Sequence, residues 1–285
     1  MNTKPVIEVL NISKKYEDFQ LQINNLKINE GHIVGLIGEN GAGKSTFLNL
    51  LLNQIKSESG SIKILGLDYS KDEYRIKLNL GVILEQNYFP DSFSVLQVEK
   101  MLEGIYPNWD KELYHHLIDH FSLPTNKAIK NFSRGMLVKL NFSAALSHHP
   151  RLLIADEATS GLDPIVRKEI LSLLEGFVKE NKMTVLLSSH ILSDLEMVAD
   201  YFVFIEQGNI LLKGERSELL NRFVIKSDIS GLSLNTIKYK LYQDNTVQYL
   251  VDISQEENEN THYASLEEIL LFLAKGVKID DRTSL

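Results

Sequence analysis

Eight residues near the N-terminus limit what this chain can fold into. Gly38 to Ser45, GENGAGKS, reads G-x-x-x-x-G-K-S. It lies between an apolar run, Ile33 to Ile37, and an amphipathic run that begins at Lys44. Strand, glycine loop and helix is the setting in which such a loop holds a phosphate chain. Gly38, Gly41 and Gly43 let backbone N–H groups wrap the phosphates without Cβ clashes, and Glu39, Asn40, Ala42 and Thr46 complete the wrap. Lys44 reaches the β- and γ-phosphates as a point charge, and the Ser45 hydroxyl can ligate Mg²⁺. The loop implies a nucleoside triphosphate ligand and an α/β fold around a parallel sheet.

Three further apolar runs end in polar residues. GVILEQN ends at Gln86, RLLIADE delivers Asp156 and Glu157, and MTVLLSSH ends at His190. Singly, each has a dull explanation as a solvated strand end. Together with the glycine loop they put polar groups from four parallel strands on one sheet edge, where open α/β sheets bind ligands.

Phosphoryl-transfer chemistry then assigns expected roles. Asp156 suits Mg²⁺, as the acidic partner of Ser45, and Gln86 can ligate the same metal or the attacking water. Glu157, one residue past the strand, can orient and deprotonate that water. His190 can stabilise charge on the γ-phosphate. No second acceptor pocket is evident, so hydrolysis is expected rather than transfer.

KNFSRGMLVKL puts Ser133, Arg134 and Gly135 ahead of an apolar run. Ser133 reads as a helix N-cap. Leu137, Leu140 and Ala144 share one face of the helix behind it and Val138, Phe142 and Ala145 the next, so the helix is expected to be largely buried. By itself this is an ordinary capped helix or an anion site formed by free N–H groups and the helix dipole.

The glycine loop, Gln86, FSRGM, LLIADE, SGLD and His190 occur in the order and spacing of an ATP-binding cassette (ABC) protein, and the resemblance covers roughly Val6 to Phe223. It implies a P-loop NTPase cassette with a mixed sheet core, at residues 1–222, and a helical subdomain at about 87–133. Tyr16, in KKYEDF, resembles the aromatic on which adenine stacks, and Asp163, in SGLD, the loop between cassettes. FSRGM takes the place of the family's LSGGQ element, so Ser133, Arg134 and Gly135 are implied to bind the γ-phosphate of a nucleotide held by an opposing cassette. Phe132, Arg134 and Met136 replace Leu, Gly and Gln; Arg134 adds a cation where anions bind. Ala158 stands where many members have proline. The implied cofactors are ATP and Mg²⁺. The implied partners are a second cassette, identical or a paralogue, in a head-to-tail dimer, and an integral membrane permease.

Within the helical subdomain Ser94 and Gln97 form a capping box, and DKELYHHLIDHF makes a second helix. His116 and His120 are four apart, but no third ligand or adjacent acid completes a zinc site. From about Arg222 the pattern changes. TIKYKLYQDNTVQYLVDIS alternates about Gln243-Asp244-Asn245 as a hairpin, and SLEEILLFLAKG is a capped amphipathic helix closing on Gly276. A small α+β appendage is expected at 223–285, with the acidic EENEN as a solvated loop and with packing or dimer support, ahead of regulation, as its role.

Composition excludes several classes. The chain has 285 residues and no cysteine, so thiol chemistry is out and a reducing compartment fits. The N-terminus lacks a signal-peptide core and no run approaches the length of a spanning helix. A net charge of −8 disfavours a nucleic-acid surface. The resemblance therefore places the chain in the cytoplasm, peripheral on the inner face of the cell membrane through the permease.

Two other classes stay open. A soluble cassette ATPase acting on nucleic acid or ribosomes would carry a long coiled coil, or two cassettes; 88 residues separate Lys44 from Ser133 and only one glycine loop is present. A non-enzymatic switch is disfavoured by Glu157 and His190. Importer ATPases more often keep LSGGQ, whereas the FS-x-GM form and the short appendage resemble bacterial ABC-2-type exporters of drugs, lipids or amphipathic peptides. YPNWD is similar to the staphylococcal-type exporters of phenol-soluble modulins.

Overall fold

The computed structural model describes residues 4–84, 86–230, 232–233, 236–243, 246–254 and 263–279. The chain opens with an antiparallel pair, β1 (Pro5–Lys15) and β2 (Gln20–Asn29). β3 (Ile33–Ile37), buried at all five positions, runs into α1 (Lys44–Leu51). β4 (Ser59–Ile64) returns to β1, giving a three-stranded antiparallel sheet in the order β2-β1-β4. This sheet is not anticipated from the sequence, because its strands mix polar and apolar residues with bulges that break the alternation.

α2 (Tyr69–Leu78) and β5 (Leu80–Ile83) lead to the helical segment, α3 (Val95–Glu103), α4 (Lys111–His120) and α5 (Arg134–Leu146). Ser94 and Gln97 make the expected capping box at α3. The segment has its own core of Val95, Tyr114, Phe132 and Leu140, and the buried Tyr114 hydroxyl donates to the Val95 carbonyl at 3.0 Å.

β6 (Leu152–Asp156), α6 (Pro164–Asn181), β7 (Thr184–Ser189), α7 (Leu192–Val198), β8 (Tyr201–Glu206) and β9 (Asn209–Glu215) complete a second sheet. Its order is β5-β6-β7-β3-β8-β9, parallel except for the antiparallel edge strand β9. It is the mixed sheet of a P-loop α/β fold. β3, β6 up to Ala155 and the Val185–Leu187 stretch of β7 are apolar because both faces are covered: the β1–β2–β4 sheet and α1 lie on one side, and α6, α7 and the C-terminal elements on the other.

After α8 (Arg216–Leu220), four strands form a third sheet: β10 (Phe223–Lys226), β11 (Ile237–Gln243), β12 (Thr246–Asp252) and, beyond the helix α9 (Leu266–Lys275), β13 (Val277–Lys278). Their order is β10-β12-β11-β13. The expected hairpin is β11–β12, and its Asp244-Asn245 turn and the EENEN loop lie outside the described residues. Ser265 caps α9 with Glu268 in a capping box. Ile269 and Phe272 of α9 join Leu241 and Leu250 in one continuous hydrophobic cluster with Leu174, Leu187 and Phe202. Among the described residues, no helix is long and apolar enough to cross a membrane.

Candidate functional site

The glycine loop spans the turn from β3 into α1. Gly41 and Gly43 hold φ of +83° and +109°, the region that costs an L side chain most. Gly43 is also tightly enclosed: a carbon placed on its Cα would stand 2.8 Å from Cζ of Phe19. The loop curls round the Lys44 ammonium, which donates to the carbonyls of Gly38 at 2.7 Å and Glu39 at 3.3 Å.

Glu157 follows β6 with φ of +48°, a strained conformation for a residue that is not glycine. The turn aims its carboxylate at the loop. Oε1 lies 3.8 Å from Lys44 Nζ, and Oε2 lies 2.7 Å from Nδ1 of His190, the residue after β7. Ser188 ties the two strand ends together: its hydroxyl donates to Asp156 Oδ1 at 2.5 Å and accepts from the Glu157 N–H at 2.9 Å. A single serine thus fixes Asp156 and Glu157 relative to the strand that carries His190.

A cavity of about 740 Å³ opens over these groups, bounded by Asn40, Lys44, Ser45, Thr46, Glu157 and His190, with Glu39, Gly41 and Gly43 also on its wall. Its size falls in the range of small-molecule sites. Two residues not identified from the sequence, Asp18 and Phe19, form the wall beyond the loop, and Ser160 joins Glu157. Nearby, burial pushes the Glu206 carboxyl up, and the Glu39 charge adds to the rise.

Other expected site residues lie elsewhere. Tyr16, 43% exposed, is set back from the cavity, its ring 6.4 Å from that of Phe19; Phe19, three residues on, presents the aromatic face. Gln86 lines a different cleft, of about 500 Å³, between the core and the helical segment, with Tyr69, Tyr88, Phe89, Tyr106 and His148. β5 ends at Ile83, and Leu84 and Gln86 beyond it line the same cleft as Leu80 and Val82 of the strand. Asp163 caps α6, accepting from the N–H groups of Ile165 at 3.0 Å and Val166 at 3.1 Å. Ser133 caps α5, accepting from the Met136 N–H at 3.3 Å; with Arg134 and Gly135 it lies off the cavity of its own chain. His116 and His120 stack with ring centroids 6.5 Å apart.

The loop from Glu157 to Asp163 is pinned from below. Asp194, nearly buried on α7, accepts from Arg167 Nη1 at 2.9 Å and from Thr159 Oγ1 at 3.2 Å, while Arg167 Nη2 donates to the Leu162 carbonyl at 3.2 Å. Buried charge is tolerable here because the ion pair is completed by further hydrogen bonds.

Comparison with known proteins identifies this arrangement. The family model described as "ABC transporter" matches residues 21–160. The bacitracin transport ATP-binding protein BcrA of Bacillus licheniformis is 31% identical over 96% of this chain and 91% of its own length. This chain belongs to the ABC transporter family. The lantibiotic transport ATP-binding protein SrtF of Streptococcus pyogenes is 34% identical over 74% of the chain and 91% of its own length. Among solved structures, an ATP-binding subunit of an ABC transporter superposes with a TM-score of 0.68 at 24% identity, covering 76% of this chain and 92% of that one. An ATP-binding cassette bound to ADP and phosphate gives 0.63 at 21%, covering 73% and 98%. Like other ABC ATP-binding proteins, this chain binds nucleotide and hydrolyses ATP in transport.

Proposed function

We propose that this chain is the ATPase subunit of an exporter, binding MgATP between two head-to-tail cassettes and driving cargo through a separate membrane permease. The observation that carries the hydrolytic assignment is the Glu157 carboxylate, held between Lys44 and His190 at one end of the glycine-loop cavity.

Glu157 is the general base, orienting a water and taking its proton. Lys44 compensates the β/γ-phosphate charge. His190, held through Nδ1 against the Glu157 carboxylate, offers its Nε2 to face a γ-phosphate oxygen. Ser45 and Asp156 are an oxygen donor pair suited to Mg²⁺, which when bound neutralises phosphate charge; Gln86 is the third candidate ligand. Phe19 and Tyr16 together are the aromatic surface for the base. Ser133, Arg134 and Gly135 serve the opposing cassette, since they lie off the cavity of their own chain, and Asp163 belongs to the loop between cassettes.

The cleft lined by Gln86 and Tyr106 is the docking place for the permease: it joins the helical segment to the core, so movement of one against the other reaches the sheet edge through Gln86. The names of the bacitracin and lantibiotic relatives favour export of amphipathic peptides. The second cassette is a second copy of this chain or a paralogue, and the complex sits on the cytoplasmic face of the membrane.

The test is co-expression with candidate permeases and reconstitution of a pair that co-purifies. Vesicles holding both proteins should move a labelled amphipathic peptide only with MgATP, and Lys44→Ala should abolish transport by weakening nucleotide binding. Hydrolysis stimulated by nucleic acid, and indifferent to any permease, would favour the soluble-ATPase alternative.

A further inference from the structure

The C-terminal helix stands beside the glycine loop. Glu267, Leu270, Leu271 and Ala274 of α9 share one helical stripe and form one wall of a cleft of about 550 Å³; Glu39, Asn40 and His190 contribute to the other. Those three residues also bound the nucleotide cavity, so the cleft continues that cavity beyond the loop. Ile269 and Phe272, on the opposite side of α9, are anchored in the core; Leu270 and Leu271 pack against its margin and, with Ala274, stay half-buried, while Glu267 is exposed.

The cleft has a charge to match. Glu39 and Glu267 are both exposed on its walls; Lys275, two turns along α9 from Glu267, lines its far end, so the carboxylates outnumber the ammonium and Glu267 lies away from it. The Glu267 carboxylate has no hydrogen-bond or ion-pair partner among the described residues. The Ser133–Gly135 segment carries the complementary charge. Arg134 is exposed, and its guanidinium makes no hydrogen bond or ion pair among the described residues. It lies on the backbone of Gly161, where a carbon built on the Gly161 Cα would stand 2.8 Å from Nη1. Gly161 holds φ of +69°; a side chain there would displace the guanidinium. The cation is thus placed by contact and left without a counter-charge.

We propose that α9 extends the interface between cassettes, and that the cleft between α9 and the glycine loop receives Arg134 of a second copy of this chain, with Glu267 as its counter-ion. The inference rests on the head-to-tail reading, because only that arrangement brings the second copy's Ser133–Gly135 segment over the first copy's glycine loop. It gives the C-terminal elements a function in forming the composite nucleotide site, and it gives the arginine of FSRGM a protein partner. The apolar part of the stripe, Leu270, Leu271 and Ala274, packs against the segment that carries Arg134 and keeps water from the ion pair.

Charge reversal tests this in the full chain. In a Glu157→Gln background, association driven by MgATP is followed by sedimentation at low ionic strength. Glu267→Arg or Arg134→Glu should each weaken association about ten-fold, as expected for a close interfacial ion pair, and the double reversal should recover most of it. Glu267→Gln, which removes charge without reversing it, should cost about three-fold. Nucleotide uptake by dilute Glu267→Arg chains should match the parent, which separates an interface role from misfolding. Unchanged association in both single variants would overturn the proposal, as would a double variant no better than the worse single. Tighter association in Glu267→Arg would also overturn it, making α9 a barrier to the second copy. If the Glu157→Gln parent failed to associate in MgATP, the head-to-tail reading itself would be wrong, and this proposal would fall with it.

Discussion

His190 Nδ1 lies 2.7 Å from Glu157 Oε2, a contact between the ends of two neighbouring parallel strands. The Glu157 carboxylate is held at one oxygen by His190 and faces Lys44 with the other, 3.8 Å away. One group removed from this arrangement changes what the others can do, so their mutational effects are expected to be strongly coupled.

Glu157→Gln should retain ATP and lose turnover by about 10²-fold or more, because the amide keeps the shape and loses the basicity. His190→Ala should cause a loss of similar order, and the double variant should be little worse than either single one. Steady-state hydrolysis with a parallel nucleotide-binding measurement checks this. Losses that multiply in the double variant would mean the two residues act independently.

The loop carrying Glu157 depends on a pair outside the cavity. Asp194→Ala leaves Arg167 partly buried without its carboxylate and should cost about 3 kcal/mol of stability, as breaking a buried pair does. Arg167→Met with Asp194→Leu should cost less than Asp194→Ala alone. Denaturant unfolding of the three variants measures it; equal losses would show that the pair contributes packing and no electrostatics.

His148 introduces a pH dependence remote from the chemistry. Burial lowers its pKa from an ordinary 6.5 to about 4, against the opposing pull of the Leu80 carbonyl, and it stacks on Tyr106 at 4.0 Å. The native state therefore keeps His148 neutral while the unfolded chain takes up a proton below about pH 6.5. Stability should fall as pH drops from 6.5 towards 4, by up to about 3 kcal/mol from this group. His148→Gln should flatten that part of the stability profile; a profile unchanged by the substitution would assign the acid sensitivity to other groups.

The parts of the fold legible in the sequence are those where local pattern and burial agree. β3, β6 and the middle of β7 read as apolar runs because both sheet faces are covered, and the caps at Ser94, Ser133 and Ser265 announce α3, α5 and α9 through local side-chain hydrogen bonds. The β1–β2–β4 sheet is hidden because its strands alternate imperfectly and pair across distant sequence. In the site, the glycine loop, Glu157 and His190 declare themselves by motif and strand end. Phe19 and Ser188 do not: their roles depend on which strand lies next to which, and a lone aromatic or a strand-end serine carries no spacing signal. The nearness of α9 to the glycine loop is likewise invisible, since amphipathic periodicity tells which face of a helix is buried and not what it is buried against.

Two chains should be needed to complete each ATP site, because Ser133, Arg134 and Gly135 lie off the cavity of their own chain. The most direct measurement is the rate of ATP hydrolysis per chain as the isolated protein is diluted, with the association state followed in the same buffer by sedimentation. The rate per chain should fall towards zero as dimers dissociate and rise to a plateau as they form. A chain that hydrolyses at its full rate when diluted to a monomer would contradict it, and Ser133 would then be only the cap of α5.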